Sequence, residues 1–199
     1  MCPSLDENYW LGRYQRNQIG WDAGEATIPL KQYLDQLHDY EVEILIPGAG
    51  NAHEVAYAFQ KGFQHVHALD IANAPLKRFQ QRYPLFPSAN LHHENFFDHR
   101  GQYDLVLEQT FFCALHPNLR NDYVKKMAQL LKPEGRLVGV LFDILFERDG
   151  PPFGGDKEMY VNLFTKELDV LKMEPCYNSI KPRAGSELFF VAKRPAKPQ

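Results

Sequence analysis

The sequence contains few cysteines and no long apolar run, and each shortage excludes a class of protein. Its three cysteines, Cys2, Cys113 and Cys176, lie far apart along 199 residues, so they match neither a disulfide framework nor the close spacing of a zinc site. No stretch approaches the roughly 18 apolar residues of a membrane-spanning helix, and the first residues lack the basic and apolar parts of a secretion signal. We therefore expect a reduced, cytoplasmic protein that does not enter a membrane.

The sequence also lacks a long basic block, and its formal net charge is −3. Proteins that bind nucleic acids by electrostatic attraction usually carry a strongly basic surface, so we expect no nucleic-acid partner. Hydrophobic residues make up 44% of the chain and charged residues 24%, which is the balance of a folded domain with a substantial core. We predict one domain over residues 1–199, divided into a leader at 1–40 and a core at 41–199.

Strand-like and helix-like patterns alternate along the core. Apolar runs typical of strands occur at 41–47, 66–71, near 91, and at 103–108, 136–142, 170–173 and 188–192. Segments typical of helices occur at 53–61, 73–83, 121–131 and 156–164. This alternation predicts an α/β fold, a Rossmann-like, doubly wound and mostly parallel seven-stranded sheet with helices on both faces. The turn-rich loop between the last two strands indicates one antiparallel strand near the C-terminus.

The first strand of the core ends in ILIPGAG, so Gly48 and Gly50 stand directly before a predicted helix. Asp70 ends the next strand, roughly 20 positions after Gly48, which is the spacing of a βαβ unit that binds an adenosine-containing cofactor. Glycine lets the backbone approach the ligand, and the carboxylate accepts hydrogen bonds from ribose hydroxyls. His53 stands where a dinucleotide-binding turn needs a small residue, which favours S-adenosylmethionine over a nicotinamide or flavin dinucleotide. The alternative is a glycine turn with an unrelated surface aspartate.

Of the aromatic residues that precede this unit, three are candidates for the cofactor pocket, Trp10, Tyr14 and Trp21. Trp10 and Tyr14 are four positions apart, so a helix would place them on one face. The sulfonium group of S-adenosylmethionine is a cation without hydrogen-bond donors, and aromatic faces are suited to hold such a cation. The alternative is a hydrophobic cap that only covers the sheet.

Motifs along nearly the whole chain, from about residue 9 to about residue 190, together resemble one family. They are YWLGRYQRNQIGWDAGEATIPL, ILIPGAG, ALDI, NFFD, YDLVLEQTFFCALHPNLRNDYVKKMAQLLKPEGRL and GPPFGG. They are similar to the thiopurine methyltransferase-like branch of the class I S-adenosylmethionine-dependent methyltransferases, which includes halide and thiol methyltransferases. The resemblance implies S-adenosylmethionine as the cofactor and a small molecule as the methyl acceptor.

The resemblance also implies which residues bind the cofactor. These are Trp10, Tyr14, Trp21, Gly48, Gly50, Asp70, Ile71, Asn95, Phe96 and Gln109. By position, Gly48 would lie beside the amino-acid part of the cofactor and Asp70 beside the ribose. Asn95 and Phe96 would lie beside the adenine, and Gln109 near the methionine end. Tyr14 and Asn95 depart from the family pattern, in which tryptophan and aspartate are usual at these two positions.

The acceptor site is less defined by the sequence. Transfer of a methyl group to a soft sulfur or halide nucleophile depends on proximity and alignment, and no dedicated general base is evident. The candidate acceptor contacts are Phe112, His116, Arg120 and Phe153, within an aromatic pocket shared with Phe111, Phe146 and Pro152. His116 could accept a proton, although a lone loop histidine is more often structural. An anionic acceptor or the carboxylate of the cofactor could be contacted by Arg13, Arg16, Arg120 or Arg148, although exposed arginines are usually only solvated.

The run His92-His93-Glu94 could indicate a metal site. Neighbouring residues of an extended strand point to opposite faces, so the two histidines should not converge on one ion. We therefore expect no metal.

The sequence predicts an S-adenosylmethionine-dependent methyltransferase that acts on a small molecule, first of all on a thiol sulfur. The alternatives are the same cofactor with a halide, metalloid, oxygen or nitrogen acceptor, and a non-catalytic protein that binds the cofactor. A nicotinamide-dependent oxidoreductase is disfavoured by His53 and by the aromatic leader. The sequence does not indicate an oligomeric state.

Overall fold

A computed structural model describes residues 4–147 and 149–196 of the chain. Cys2 and Arg148, which entered the sequence predictions, lie outside the described residues. The strands are β1 Glu43–Pro47, β2 His65–Asp70, β3 Leu91–His93, β4 Tyr103–Gln109, β5 Leu131–Phe142, β6 Asp169–Pro175 and β7 Glu187–Lys193. The α-helices are α1 Glu7–Gln15, α2 Ile28–Asp35, α3 His53–Lys61, α4 Asn73–Arg82, α5 Arg120–Leu130 and α6 Lys157–Phe164.

The strands form one seven-stranded sheet in the order β3-β2-β1-β4-β5-β7-β6. β1 to β5 pair in parallel, and β7 runs antiparallel to both β5 and β6. This confirms the predicted Rossmann-like fold with one antiparallel strand near the C-terminus. The strand order reverses between β1 and β4, and in open α/β sheets ligands bind at the carboxyl ends of the strands beside such a reversal.

Alternating side chains of the strands build a core on each face of the sheet. On β1, Leu45 belongs to the core that packs against α5 and α6, whereas Ile44 and Ile46 belong to the core that packs against α2, α3 and α4. Val106 and Leu105 on β4 divide in the same way. Successive strand residues point to opposite faces, so a sheet covered on both faces needs apolar residues at consecutive positions. The continuous apolar runs of the sequence meet this requirement.

One strand is longer than the sequence predicts. β5 begins at Leu131 rather than at Arg136, because Leu131 pairs with Tyr103 before the register shifts and Arg136 pairs with Leu105. Residues 132–135, between these two pairings, form an irregularity within the strand. None of the helices in the described residues has the length and apolarity needed to cross a membrane.

Helix α1 differs from the other helices because it has no buried residue. Its N-terminus is capped by Asp6, whose carboxylate accepts a hydrogen bond from the backbone N–H of Tyr9 at 3.0 Å. Each of the helices α2 to α6 buries several side chains against the sheet. The apolar side chains of α1 therefore face a space rather than a packed core.

Candidate active site

That space is a cavity of about 1210 Å³ at the carboxyl ends of the central strands. Gly48 follows β1, Asp70 ends β2 and Thr110 follows β4, and all three line it. The leader forms the opposite wall through α1 and the segment that contains Trp21. Ligand pockets usually measure about 300–1,000 Å³, so this cavity has room for a cofactor and a second molecule.

The structure brings most of the predicted site residues to this cavity. Those that line it are Trp10, Tyr14, Trp21, Gly48, Asp70, Ile71, Asn95, Phe96 and His116. Gly50 and Gln109 line a smaller pocket of about 40 Å³, to which Gly48 and Trp21 also contribute. Three predicted acceptor contacts, Phe112, Arg120 and Phe153, lie outside the lining of the large cavity.

Asp70 faces the cavity while its carboxylate is held by the backbone. Oδ2 accepts a hydrogen bond from the N–H of Gly50 at 2.8 Å, and Oδ1 accepts one from the N–H of Ala72 at 2.7 Å. Burial raises the pKa of Asp70 to about 6, although both backbone donors favour its ionised form. Each carboxylate oxygen has a second lone pair, so the group can still accept hydrogen bonds from a ligand in the cavity.

Both glycines of the turn stand directly beneath aromatic side chains. Gly48 has a φ of +60°, and a Cβ at this position would collide with the ring of Phe111. Gly50 has a φ of +53°, and a Cβ there would lie 2.9 Å from the hydroxyl oxygen of Tyr14. Only glycine combines this backbone conformation with such close contacts. The turn therefore brings a core strand, the leader and the segment after β4 together.

The leader aromatics pack against each other at their edges. The ring centroids of Trp10 and Trp21 are 5.4 Å apart, and those of Tyr14 and Trp21 are 5.7 Å apart, in both cases nearly perpendicular. The guanidinium of Arg13 stands 5.6 Å from the centroid of Trp21, and that of Arg78 stands 5.3 Å from the centroid of Tyr14. Within the described residues, no cation occupies the corresponding position at Trp10.

A histidine and an aspartate join the leader to the glycine turn. Asp22 Oδ1 lies 2.8 Å from Nε2 of His53, and its carboxylate also accepts hydrogen bonds from the side chain of Asn51 and the N–H of Gly24. The hydrogen bond with His53 lowers the pKa of Asp22, and the same bond raises the pKa of His53. In the sequence, His53 stands out only as an obstacle to a dinucleotide, and no pattern singles out its partner Asp22.

A second connection lies beside the first. Thr27 donates its backbone N–H to Oε1 of Glu54 at 3.0 Å and its hydroxyl to Oε1 of Gln109 at 2.9 Å. Glu54 is buried, and burial raises its pKa. Gln109 thus points to the leader rather than into the large cavity, although it lies beside the glycine turn as its position after β4 predicts.

Glu108 determines how the segment after β4 turns. This fully buried carboxylate accepts hydrogen bonds from the N–H groups of Phe111 at 2.8 Å and Phe112 at 2.9 Å, and from the hydroxyl of Tyr123 at 2.6 Å. Burial raises its pKa to about 7. Thr110 adopts a φ of +57°, which is unusual for a β-branched residue. The turn directs Phe111 into the cavity and Phe112, which is only 1% exposed, into the core.

Arg120 and Phe153 hold a loop over the cavity instead of lining it. The N–H of Phe153 donates to the carbonyl of Cys113 at 2.7 Å, and Nη2 of Arg120 donates to the carbonyl of Gly154 at 2.8 Å. Arg120 also lies over the ring of Phe112. These bonds place Pro152 and its neighbour Pro151 on the cavity wall, so the GPPFGG motif contributes its prolines to the site.

Arg183, in the loop before β7, is a cavity residue that the sequence patterns did not identify. It is 8% exposed, and its Nη2 donates to the carbonyl of Trp21 at 2.6 Å. Nη1 lies 3.6 Å from Oε1 of Glu187 and has no hydrogen-bond partner within the described part of the chain. The surrounding sequence reads as an ordinary turn, so no motif marked this arginine.

The family model of the thiopurine S-methyltransferases matches residues 5–189. The chain belongs to the thiopurine S-methyltransferase family. It is therefore an S-adenosylmethionine-dependent methyltransferase, as predicted. The cofactor carries the transferable methyl group on a sulfonium sulfur. The site fits this molecule, because the buried carboxylate of Asp70 can accept from ribose hydroxyls and the leader presents aromatic rings to a cation.

Relatives within this methyltransferase family differ in the acceptors that they are named for. Thiocyanate methyltransferase 1 of Brassica oleracea is 30% identical over 190 residues, covering 92% of this chain and 84% of that protein. Thiopurine S-methyltransferase of Photobacterium profundum is 25% identical over 166 residues, covering 75% and 78%.

Among solved structures, a Burkholderia thailandensis methyltransferase with bound 1,6-didemethyltoxoflavin and S-adenosylhomocysteine superposes with a TM-score of 0.76. The two chains are 18% identical, and the match covers 95% of this chain and 87% of that one. This similarity supports the fold.

Proposed function

We propose that this methyltransferase transfers the methyl group of S-adenosylmethionine to the sulfur of a small thiol. The observation that carries the proposal is Arg183, a buried guanidinium on the cavity wall whose Nη1 lies 3.6 Å from Oε1 of Glu187 and makes no hydrogen bond among the described residues. A thiolate is anionic and polarisable, so a cation on a wall that also carries aromatic rings suits it. Relatives named as thiocyanate, thiol and thiopurine methyltransferases support the same acceptor chemistry.

In this proposal ten residues serve cofactor binding, eight on the wall of the large cavity and two, Gly50 and Gln109, in the smaller pocket beside it. The ten are Trp10, Tyr14, Trp21, Gly48, Gly50, Asp70, Ile71, Asn95, Phe96 and Gln109. Asp70 accepts from the ribose hydroxyls. Oδ1 of Asn95 already accepts from the N–H of Phe97 at 2.9 Å, so we assign its Nδ2 donors to the adenine nitrogens. Gln109 acts indirectly, because its contact with Thr27 positions the leader.

The leader acts as a lid whose aromatic rings enclose the sulfonium. Trp10 is assigned the sulfonium contact, because arginine side chains already stand over Tyr14 and Trp21. Closure of the lid also excludes water from the reacting groups. A hydrogen bond between Asp22 of the leader and His53 of the core holds the lid beside the glycine turn.

The reaction is an in-line displacement at the methyl carbon. The thiolate sulfur forms a bond to the methyl carbon, the bond from that carbon to the sulfonium sulfur breaks, and the electron pair leaves with that sulfur as a neutral thioether. Arg183 stabilises the thiolate before attack, and the thiol proton leaves to solvent or to His116, which lines the cavity. Burial raises the pKa of Cys113, so this thiol stays protonated and does not compete as a nucleophile.

An acceptor screen with the purified protein tests the proposal. Thiols, a thiopurine, thiocyanate, iodide, tellurite, a catechol and a primary amine would each be incubated with S-adenosylmethionine, and methylated products identified by mass spectrometry. We expect the highest kcat/KM with an organic thiol. Methylation of oxygen, nitrogen or metalloid acceptors alone would overturn the thiol assignment. Binding of the cofactor without any product would favour a non-catalytic protein.

Replacement of Arg183 tests the role of the cation. Arg183→Met should raise the KM for the thiol by about tenfold or more, because a hydrogen bond to a charged group contributes about 1.5–3 kcal/mol. Because Nη2 of Arg183 also donates to the carbonyl of Trp21, the dissociation constant of S-adenosylhomocysteine would be measured in parallel, and it should rise less than the KM for the thiol. Arg100→Met, at an exposed position, is the matched control. An unchanged KM in the folded Arg183→Met protein would remove Arg183 from the acceptor site.

We further propose that the enzyme works in the cytoplasm on small molecules. Cys113 and Cys176 are buried free thiols, which is usual in a reducing compartment. Fractionation of cells that produce the tagged protein would test this location.

A further inference from the structure

Three histidine side chains meet at the β3 edge of the sheet. Nδ1 of His67 on β2 lies 3.0 Å from Nε2 of His92 on β3. The ring of His92 lies 4.8 Å from the ring of His99, which is only 2% exposed. Nδ1 of His99 in turn lies 2.6 Å from Oε1 of Glu94. Imidazole nitrogens and a carboxylate oxygen are therefore concentrated in one place.

We propose that His92, Glu94 and His99 bind a divalent transition-metal cation, with Zn²⁺ as the best match. One ligand atom of each residue lies within 4.8 Å of the other two. The ligand atoms around a tetrahedral zinc ion stand roughly 3.3 Å apart, given metal–ligand bonds of about 2.0–2.2 Å. The ligand atoms reach this shorter separation when the side chains of Glu94, which is exposed, and of His92, which is partly buried, rotate. A water molecule completes the coordination.

In His92 and His99, the ring nitrogen that would not bind the cation already has a partner, and this is the second feature expected of a metal site. Nε2 of His92 contacts His67, and Nε2 of His67 contacts Oε2 of Glu43 at 3.1 Å. Nε2 of His99 contacts the hydroxyl of Tyr103 at 2.8 Å. Metal-binding histidines usually donate their second N–H to such a partner, which orients the ring and selects the tautomer. In both rings this leaves Nδ1 as the ligand nitrogen.

Metal binding at His92 would also cost no hydrogen bond. Among the described residues, no hydrogen bond engages Nδ1 of His92, so metal binding at that atom breaks no existing contact. The hydrogen bond between His99 and Glu94 is replaced by their two bonds to the cation.

The proposed site differs from the expectation that the chain binds no metal, which stays untested. The adjacent histidines do diverge, as expected of a strand, because His93 turns away from His92 and contacts Oε1 of Glu7 at 2.9 Å. The ligand His99 and the supporting residue His67 both lie outside the run 92–94. His99 follows β3 in sequence, and His67 comes from the neighbouring strand.

The proposed cation would join the two ends of the segment that carries Asn95 and Phe96. Glu94 precedes this pair and His99 follows it, and Glu94 itself lines the cofactor cavity. If Asn95 and Phe96 contact adenine, as proposed above, the cation should stiffen their segment and raise cofactor affinity. The metal site itself does not depend on that assignment.

Metal binding by the full-length protein tests the inference without the cofactor. Protein freed of metal with a chelator would be titrated with Co²⁺ alone, and the visible absorption of bound Co²⁺ recorded before displacement by Zn²⁺. We expect one Co²⁺ per chain with the absorption of a four-coordinate site. His92→Asn and Glu94→Gln should each weaken binding by about 100-fold or more. His67→Asn should weaken it by about 10–100-fold, as for other outer partners of metal ligands.

His93→Asn is the matched control, because it removes an adjacent histidine that faces away from the site. Its affinity for Co²⁺ should equal that of the wild type. Equal losses in His92→Asn and His93→Asn would overturn the site, as would non-saturating uptake by the wild type. Circular dichroism would establish that each variant is folded. Stoichiometric Co²⁺ binding without a change in S-adenosylhomocysteine affinity would overturn the link to the cofactor and retain the metal site.

Discussion

Helices α1 and α3 both border the glycine turn, yet they are held in opposite ways. α3 has four buried residues, among them Val55 and Ala58, whereas α1 has none. The aromatic residues of α1, Trp10 and Tyr14, face the cavity. A helix with few buried contacts opens at low free-energy cost. The core thus provides a half of the site that rests on buried packing, here called the fixed half, and the leader provides the other half through a helix without buried residues.

The largest effect on ligand binding is expected from Asp70→Ala, a substitution in the fixed half. Loss of charge-assisted hydrogen bonds to ribose should weaken binding of S-adenosylhomocysteine by about 1–3 kcal/mol, measured by calorimetric titration. The substitution also removes the acceptor of the Gly50 and Ala72 N–H groups, so the free energy of unfolding should decrease.

Asp70→Asn is the comparison variant for this prediction, because its amide oxygen can still accept one of these backbone hydrogen bonds. It should bind with intermediate affinity. If folded Asp70→Ala bound as tightly as the wild type, the fixed half would not include Asp70.

Trp10→Leu, a substitution in the leader, should weaken the binding of S-adenosylmethionine by about 0.5–2 kcal/mol, which is what a cation over an aromatic face contributes. S-adenosylmethionine is cationic at sulfur, whereas S-adenosylhomocysteine is not. The variant should therefore lose more affinity for S-adenosylmethionine than for S-adenosylhomocysteine. Tyr177→Leu, at a side chain that is 88% exposed, should change neither. Equal losses for the two ligands would mean that Trp10 packs against the cofactor without recognising its charge.

The smallest effect, on the free energy of unfolding, is expected from the pair Asp22 and His53, which connects the leader to the core. The pKa of His53 is raised, so its stabilising contribution is fully present below its ordinary pKa of about 6.5 and is lost as pH rises through the raised value. The pKa of Asp22 is lowered, so its contribution is present above about pH 3.9 and is lost only as pH falls through the lowered value. The pair is therefore strongest near pH 5–6.

His53→Gln should consequently destabilise the protein more at pH 6 than at pH 9, by about 0.2–1 kcal/mol. Urea denaturation of wild type and variant at both pH values would measure this difference. His65→Gln, at a more exposed histidine that pairs with Glu41, is the comparison. A destabilisation by His53→Gln that is the same at both pH values would show that His53 packs without acting as a cation.

The fixed half was largely predictable from the sequence because it follows from strand ends. Apolar runs located all seven strands, and parallel strands bring their carboxyl ends to one edge of a sheet. Gly48 and Asp70 could therefore be placed together before any contact was known, and both line the cavity.

The contacts of the leader and of the loops around the cavity were less predictable, because several of them join segments that are distant in sequence. Arg183 meets Trp21 across 162 positions, and no local pattern encodes that contact. The neighbours Phe111 and Phe112 look equivalent in the sequence. Their separation into cavity and core depends on the positive φ of Thr110 and on the buried carboxylate of Glu108, which a residue pattern does not reveal.

The bond between Arg183 and Trp21 has a consequence for synthesis of the chain. Trp21 leaves the ribosome early, whereas Arg183 precedes β7, the strand that sits between β5 and β6. The leader of a nascent chain therefore has no guanidinium to anchor its carbonyl until the last strand has been made. This contact between the leader and the loop before β7 is therefore among the last to form as the chain is made.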